Sequence, residues 1–586
     1  MNNKSSKTLF LALMAVVACK NTSNKTDTTL QWDNNVADSR LVQTEDASEK
    51  ALAYDQASPS VVKEESQRQA LGGVTANKSI AAEGAKYKKV ARAKISLKKP
   101  VRKGKRRHMA VTAADPLSSV AYAPRDKELI DRDSKRRPVE KVNINPFIKA
   151  SDDSLSTFAV DVDTASYTIA RKSINSNQMP QANSVRVEEF VNYFSYAYPE
   201  PTGGMPFSVN MDMAPSPFSK DKHLLRVGVQ GMTLSRSERK PSHLTFLVDV
   251  SGSMNSGDKL GLAKKALRVL VNNLGDSDTV SLVTYAGNTR VVLEPTSMDH
   301  KSKIMSAIED LNASGSTAME SGLDLAYTQA AANLSSKSES RVIVLSDGDA
   351  NVGNTNQRAM LKTIEGRVAE GVTLSTIGFG MGNYKDKLME ELANKGNGNY
   401  YYIDSMNEAK KVFQQQLGGT LEVIAKDVKI QVDFDKDVVE EYRLVGYENR
   451  DIADVDFRND KVDAGEIGAG HRVTALYELK LTSKSKAPLT IRLRHKKPNG
   501  KKALENSYEF DMKNSHKAFE HTPEDFRFAV AVMATAEKLR RSVAARDWSW
   551  NKVLKVAKES NPVQNERREF VGLVEKLNDK KIAMNR

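Results

Sequence analysis

Between residues 244 and 419, short apolar segments alternate with amphipathic ones, and this alternation limits the possible folds more than any other feature. Leu244–Val248 is an apolar run of strand length, and the segment 260–274 that follows carries apolar residues at helical spacing. Further apolar runs at 341–345 and 372–379 each follow a helical segment. Such alternation predicts a doubly wound α/β fold, in which helices cover both faces of a parallel sheet.

Segments in which every second residue is apolar lie on both sides of this region, as expected for half-buried antiparallel strands. They are 207–213 and 225–229 before it, and 428–434, 473–479, 489–493 and 508–510 after it. Either set alone would bury little apolar surface and leave strand edges unpaired. We therefore expect one β-sandwich built from both sets, each with one solvent face, and an inserted α/β domain. Helical segments follow, and the three C-terminal helices should pack on the sandwich or beside it.

Residues 20–115 show no periodicity and contain only three aromatic residues. The apolar fraction of the whole chain is 39%, below the roughly 45–50% of compact globular proteins. Of the net charge of +14, residues 86–107 supply +12, so the rest of the chain has almost no net charge. This composition predicts a disordered basic tether and no nucleic-acid-binding surface on a folded domain. The basic run is either a solvated linker or a patch that attracts anionic lipid.

Residues 1–18 have the pattern of a secretory signal, with Lys4 and Lys7 before an apolar run at 9–18 that is too short to span a bilayer. The run ends at Cys19, the only cysteine, which excludes a disulfide framework. Small residues before a cysteine resemble the bacterial lipobox, which implies a lipid on Cys19 that anchors the chain to a membrane. The alternative is an ordinary signal peptide with a chance cysteine. Lys20 in place of Asp favours the outer over the inner membrane, by similarity to the enterobacterial sorting rule.

The motif Asp249-Val250-Ser251-Gly252-Ser253 directly follows the apolar run 244–248. Ligand sites of open α/β sheets lie beyond the carboxyl ends of the strands, which is where this motif is expected. One carboxylate and two hydroxyls at this spacing can converge on a hard cation. Oxygen donors without His or Cys favour Mg²⁺, with Ca²⁺ or Mn²⁺ as substitutes. The alternative is that the serines only cap the next helix.

Two further motifs, Ser314–Ala318 and Ser346–Asp349, stand before a helix and after a strand. Together with the first motif, their order and spacing resemble the metal-ion-dependent adhesion site of von Willebrand factor type A domains. The similarity continues at 158–167, 378–382, 395–400 and 463–476. On these segments the chain resembles a family of bacterial envelope proteins, whose A domain lies between a dedicated N-terminal region and a C-terminal domain of unknown function.

This resemblance implies a role for each motif residue. Ser251 and Ser253 would bind the metal through Oγ, and Thr317 would bind it directly in the ligand-bound state. Asp249 and Asp347 would act mainly through water or by orienting the other donors. An open coordination position would then attract an acidic residue of a partner protein.

The sequence predicts six segments in chain order. They are a lipoprotein signal peptide (1–18), a disordered basic tether (19–115), the N-terminal region (116–240), the A domain (241–419), a β-rich domain (420–515) and C-terminal helices (516–586).

The resulting hypothesis is a lipid-anchored cell-envelope protein, not an enzyme, that binds a protein partner through Mg²⁺. One alternative is a scaffold for envelope assembly, and another is a metal-dependent hydrolase. Asp161-Val162-Asp163-Thr164 also imitates the nucleophile motif of haloacid-dehalogenase-type phosphatases, but helices and antiparallel strands follow it instead of a βαβ series. His243 and His471 have no metal-ligand partners at a recognisable spacing, which favours structural roles.

Overall fold

The computed structural model describes residues 142–235, 237–316, 318–332, 334–349, 354–380, 386–416, 422–482, 486–498 and 500–584. All of them belong to one compact unit, 126–586. The expected signal peptide, Cys19, the basic run and Thr317 lie outside the described residues. Within the described ranges, no helix has both the length and the apolar character needed to cross a bilayer.

Within the described residues 142–231, the chain forms four strands and two α-helices. These are β1 (Ile148–Lys149), β2 (Leu155–Ala159), α1 (Ala165–Asn175), α2 (Val187–Asn192), β3 (Phe207–Pro215) and β4 (His223–Gly231).

The α/β domain follows, with strands and helices in the expected alternation. Its elements are β5 (Ser242–Asp249), α3 (Leu260–Asn273), β6 (Thr279–Tyr285), β7 (Thr289–Ser297), α4 (Lys301–Glu309), α5 (Met319–Ala331), β8 (Glu339–Ser346), α6 (Asn354–Ala369), β9 (Val372–Phe379), α7 (Asp386–Lys395), β10 (Tyr400–Ile403) and α8 (Met406–Lys410).

These strands form one sheet in the order β10-β9-β8-β5-β6-β7, and the doubly wound α/β prediction is confirmed. Alternate residues of β5 point to opposite faces: Phe246 packs with α3 and α4, whereas Leu247 packs with α5 and α6. Strand β7 is the exception to the parallel order, because it pairs antiparallel with β6 at the sheet edge. Apolar alternation does not reveal β7, which is mostly half-buried and contains Pro295, a residue that edge strands tolerate.

After the α/β domain the chain returns to strands and ends in three helices. These elements are β11 (Val423–Phe434), β12 (Val439–Val445), β13 (Gly465–Gly468), β14 (Arg472–Leu481), β15 (Leu489–Lys496), β16 (Ala503–Glu509), α9 (Glu524–Leu539), α10 (Trp550–Glu559) and α11 (Asn565–Met584).

The predicted shared β-sandwich is present, and each of its two sheets combines strands from both sides of the insertion. The first, called the covered sheet here, has the order β1-β12-β14-β4-β3. The second, the outer sheet, has the order β13-β11-β15-β16, and β2 also pairs with β11. Val229 pairs with Val473 in the covered sheet, although the whole α/β domain separates them in sequence. One apolar core fills the space between the sheets, with Val227 and Val473 on one side and Ile430 and Ile491 on the other.

The expectation of one solvent face per sheet is wrong for the covered sheet. All nine residues of β4 are buried, because α1, α2 and the C-terminal helices cover the face turned away from the sandwich core. Leu224 and Leu476 of the covered sheet share a second core with Phe194, which follows α2, and with Phe528 and other residues of these helices. The outer sheet follows the expectation, since buried and half-buried residues alternate along β15.

Candidate metal centre

The first and third sequence motifs lie at the same edge of the α/β sheet. Strands β5 and β8 pair in parallel, with Val248 opposite Leu345. Asp249 is the last residue of β5, and Asp347 directly follows β8. Both carboxylates therefore stand at the carboxyl edge of the sheet, where ligand sites of this fold class lie.

Ser251 and Ser253 lie in the tight turn after β5, with their Oγ atoms 3.0 Å apart. Ser251 is buried, whereas Ser253 is exposed. Neighbouring oxygens in an octahedral Mg²⁺ shell, each about 2.1 Å from the ion, are separated by about 3 Å. The two hydroxyls therefore fit two adjacent positions of such a shell.

Asp249 is a buried anchor of the loop. Its Oδ1 accepts a hydrogen bond from the Ser251 backbone N at 2.9 Å, and its Oδ2 accepts from Ser346 Oγ at 3.0 Å and Tyr285 Oη at 3.1 Å. Burial raises the pKa of Asp249, and the nearby charge of Asp347 raises it further, while hydrogen bonds from Ser251 and Ser346 oppose the rise. The hydroxyls of Tyr285 and Ser346 therefore hold this carboxylate in one orientation.

Backbone hydrogen bonds bring the second motif against the first. The Ser314 N donates to Val250 O at 2.7 Å, and the Gly252 N donates to Gly315 O at 3.0 Å. Gly315 has a φ of 84°, in the left-handed region that glycine adopts without strain. The segment up to Ser316 thus lies beside the Asp249 loop, and the role of Thr317 stays a prediction.

Lys259, just before α3, links the first and third motifs. Its Nζ lies 2.9 Å from Asp347 Oδ2 and 2.9 Å from the backbone O of Ser253. The other carboxylate oxygen of Asp347 accepts a hydrogen bond from the Asp349 N at 3.1 Å.

Sequence analysis identified four residues that the structure brings together (Asp249, Ser251, Ser253 and Asp347), and their role as metal ligands stays a prediction. It missed Lys259 and Tyr285, and it assigned no role to Ser346, the first residue of the third motif. Tyr285 and Ser346 end the two strands next to β5, so their position at the carboxyl edge was a usable signal. Nothing in the local pattern marked Lys259.

A metal here would rely mainly on hydroxyl and water oxygens. In the described part of the chain, no three His, Cys, Asp or Glu residues are arranged to hold a metal ion. A donor set with two serine hydroxyls suits a hard cation such as Mg²⁺ better than a soft transition metal.

The competing motif Asp161–Thr164 has a structural role. Arg450 donates to Asp161 Oδ2 from Nε at 3.0 Å and to Asp163 Oδ2 from Nη2 at 3.1 Å. The other oxygen of Asp163 accepts a hydrogen bond from the backbone N of Tyr400, in strand β10 of the α/β domain, at 2.8 Å. Both carboxylates are buried and ion-paired, which argues against a nucleophilic role and for a clamp between the sandwich and the α/β domain.

Two cavities of about 580 and 400 Å³ lie elsewhere in the unit. None of the candidate metal-site residues that the structure describes lines either cavity. Ser253 of the candidate metal centre is exposed at the surface.

Three family models match the chain in succession. The model "von Willebrand factor" matches residues 133–226, "von Willebrand factor type A domain" matches 243–415, and "Uncharacterized protein YfbK, C-terminal" matches 419–579. Together they span most of the described residues in the order that the sequence motifs indicated.

Among curated proteins, the chain is 36% identical over 460 residues to uncharacterized protein YfbK of Escherichia coli, covering 74% of this chain and 79% of that protein. It is 30% identical over 191 residues to uncharacterized protein sll0103 of Synechocystis, covering 33% of this chain and 44% of that protein. Among solved structures, a von Willebrand factor type A protein from Catenulispora acidiphila aligns with a TM-score of 0.39 and 18% identity, covering 62% of this chain and 89% of that one.

Proposed function

This chain belongs to the bacterial family of von Willebrand type A domain proteins that includes YfbK of Escherichia coli, and we propose that it captures a protein partner through Mg²⁺. The observation that carries the proposal is the pair of Ser251 and Ser253 hydroxyls, 3.0 Å apart beside two strand-end carboxylates.

In the proposed site, Ser251 and Ser253 would hold the ion directly, and Thr317 would join them when the partner is bound. Asp249 and Asp347 would act mainly through water or by orienting the other donors. When bound, the ion supplies an electropositive coordination position for a carboxylate of the partner. Because few charged ligands would contact the ion, its positive charge would be only partly neutralised, and it would still attract that carboxylate. Ca²⁺ or Mn²⁺ would substitute, since the same oxygen donors accept them.

The geometry favours binding over catalysis. Asp249 is buried and already accepts three hydrogen bonds, so it is not available as a general base. Ser253 is exposed, whereas hydrolysis generally requires a pocket that controls water. We therefore propose a binding protein that is not an enzyme.

The first test is a pull-down from envelope extract with the full-length chain, in Mg²⁺ and in EDTA. Ser253→Ala is a better test variant than Asp249→Ala, because Ser253 is exposed, whereas Asp249 is buried and accepts hydrogen bonds from three donors. We expect Ser253→Ala to weaken Mg²⁺ binding at least about tenfold in calorimetry, since one direct oxygen donor is lost, and to lose the EDTA-sensitive partner.

Ser256→Ala is the matched control. Ser256 is an exposed serine of the same loop whose Oγ donates to Asp258 at 2.7 Å, and its removal should leave Mg²⁺ affinity unchanged. Equal Mg²⁺ affinity in wild type and Ser253→Ala would refute the metal site. A partner retained equally in EDTA would favour the scaffold alternative.

The proposal also places the protein in the cell envelope, more specifically at the outer membrane, anchored by lipid on Cys19. The sequence supports this, because the single cysteine follows an apolar run too short to span a bilayer.

Cys19→Ala should move the protein from the membrane fraction to the soluble fraction, because burial of acyl chains would be the anchoring force. Immunoblotting of fractionated cells measures this, and separation of inner from outer membranes tests the finer assignment. Sedimentation of the variant with membranes after a high-salt wash would contradict lipid anchoring.

A further inference from the structure

Lys259 is a cation held within the candidate metal centre. Its ammonium lies 2.9 Å from Asp347 Oδ2 and 2.9 Å from Ser253 O, so it contacts two of the proposed metal-site residues at once. The lysine side chain is 18% exposed and that of Asp347 only 2%. An ion pair this enclosed is much less screened than a surface pair.

The aliphatic part of the Lys259 side chain passes the end of a neighbouring strand, where a glycine leaves room for it. Gly380, directly after β9, has a φ of 75°. A Cβ at this position would lie 2.5 Å from Cε and 2.6 Å from Cγ of Lys259. The stem therefore crosses the bare backbone of Gly380, and only glycine permits this course towards Asp347.

The acidic residue next to Lys259 in sequence does not compete for its ammonium. Asp258 instead forms an ion pair with Lys172 of helix α1, whose Nζ lies 3.1 Å from Oδ2. Its Oδ1 accepts a hydrogen bond from Ser256 Oγ at 2.7 Å. Lys259 is thus directed to Asp347 and not to its own loop.

We propose that Lys259 is an internal competitor of the metal. Its ammonium occupies the Asp347 carboxylate that the proposed ion requires through water, so Mg²⁺ displaces Lys259 from Asp347, and Lys259 thereby sets the metal affinity. This inference rests on the proposed function, because it concerns the same site.

The first test compares Lys259→Met and Lys264→Met in full-length protein by Mg²⁺ calorimetry. Lys264 is the matched control, since it lies in helix α3, is also 18% exposed and interacts with Glu309 and the Leu311 carbonyl. We expect Lys259→Met to bind Mg²⁺ at least about tenfold more tightly, because a charge-assisted contact no longer has to be broken. Lys264→Met should match wild type.

The second test measures release of the ammonium directly. Reductive methylation followed by mass spectrometry reports the reactivity of each lysine, and saturating Mg²⁺ should raise the reactivity of Lys259 while that of Lys264 stays constant. Thermal melts of both variants confirm that they fold.

The outcomes separate this inference from the proposed function. Equal Mg²⁺ affinity in Lys259→Met and wild type, or unchanged Lys259 reactivity, would overturn the inference and leave the metal site standing. Weaker binding by Lys259→Met would also overturn it, because Lys259 would then help to build the site. No Mg²⁺ binding by any of the proteins would overturn both.

Discussion

At the scale of single residues, Asp249 shows why the candidate site needs its surroundings. The hydroxyls of Tyr285 and Ser346 both donate to this buried carboxylate. Its replacement by alanine would leave two buried donors unsatisfied, at a cost of about 1–3 kcal/mol each. The carboxylate is therefore as much a part of the core as of the proposed metal centre, and loss of metal binding in that variant would not report on coordination alone.

Glu466, in β13, is a second residue whose protonation state depends on its surroundings in the folded protein. Its Oε1 accepts a hydrogen bond from Asn397 Nδ2 at 2.8 Å. Burial, with a smaller contribution from the charges of Asp463 and Asp427, raises the pKa of Glu466 to about 8, although Lys426 and Arg341 oppose the rise. The folded protein therefore keeps a proton on Glu466 at a pH where the unfolded chain has lost it.

Glu466→Gln should remove a pH dependence of stability. Because folding raises the pKa of Glu466, its contribution to the free energy of unfolding is fully present below about pH 4.5, the pKa in the unfolded chain. This contribution is lost as the pH rises towards 8, the pKa in the folded protein. Thermal melts between pH 5 and 9 should show the wild-type melting temperature falling relative to that of Glu466→Gln. Parallel curves for the two proteins over this range would contradict the assignment.

At the scale of secondary-structure elements, the edge of the α/β sheet at strand β10 is covered by other parts of the chain. It is the terminal strand of the α/β sheet, and such edges invite pairing with other chains. Asp163 accepts the hydrogen bond of the Tyr400 backbone N, and α1, which follows this motif, packs on the strand. Arg450 completes the contact by reaching Asn394 of helix α7 with Nη2 at 2.8 Å.

Arg450→Ala should destabilise the protein by about 3 kcal/mol, since it leaves two neighbouring buried carboxylates without their counter-charge. Urea unfolding at neutral pH measures this, and Arg458→Ala is the control. Arg458 pairs with Glu505 at 2.7 Å but is 66% exposed, so its loss should destabilise the protein much less than the loss of Arg450. Equal effects of the two substitutions would show that Arg450 is not a structural clamp.

At the scale of the whole molecule, the arrangement is an insertion. Glu422, where the chain re-enters the sandwich, accepts a hydrogen bond from the Lys240 backbone N at 2.9 Å. The two ends of the α/β domain are therefore adjacent, which is the condition under which domain insertion is tolerated. The sandwich in turn needs residues from before and after the insertion.

The segment 420–586 expressed alone should therefore lack a cooperative thermal transition, whereas 241–419 alone should melt cooperatively. Without β3 and β4, strand β14 loses a neighbour and the sandwich core is opened. The control is 142–586 with residues 241–421 replaced by a short Gly-Ser linker, which should fold because the ends meet. A cooperative melt of 420–586 alone would contradict the shared sandwich.

The sequence by itself determined the class of each domain and the order of the polar motifs. Helical and strand periodicities record local burial, so the α/β alternation and the shared sandwich were both predictable. Their position after an apolar strand marked Asp249, Ser251 and Ser253 as a candidate site, because ligand sites of open α/β sheets lie at the carboxyl ends of the strands. The membership of Asp347 in the same site was implied by the resemblance to type A domains. Strand β12 was not predictable, since its Arg443 is buried and paired with Glu478 and Glu537 from distant elements.

Only the tertiary structure decided which charges neutralise one another and which faces are covered. The burial of β4 on both faces depends partly on C-terminal helices more than 290 residues away, and the local apolar periodicity of a strand does not reveal packing against such distant residues. The approach of Lys259 to Asp347 over Gly380 likewise joins three segments far apart in sequence. Local patterns determine elements because they reflect local burial, whereas ion pairs and covered faces form only when the packed elements bring distant residues together.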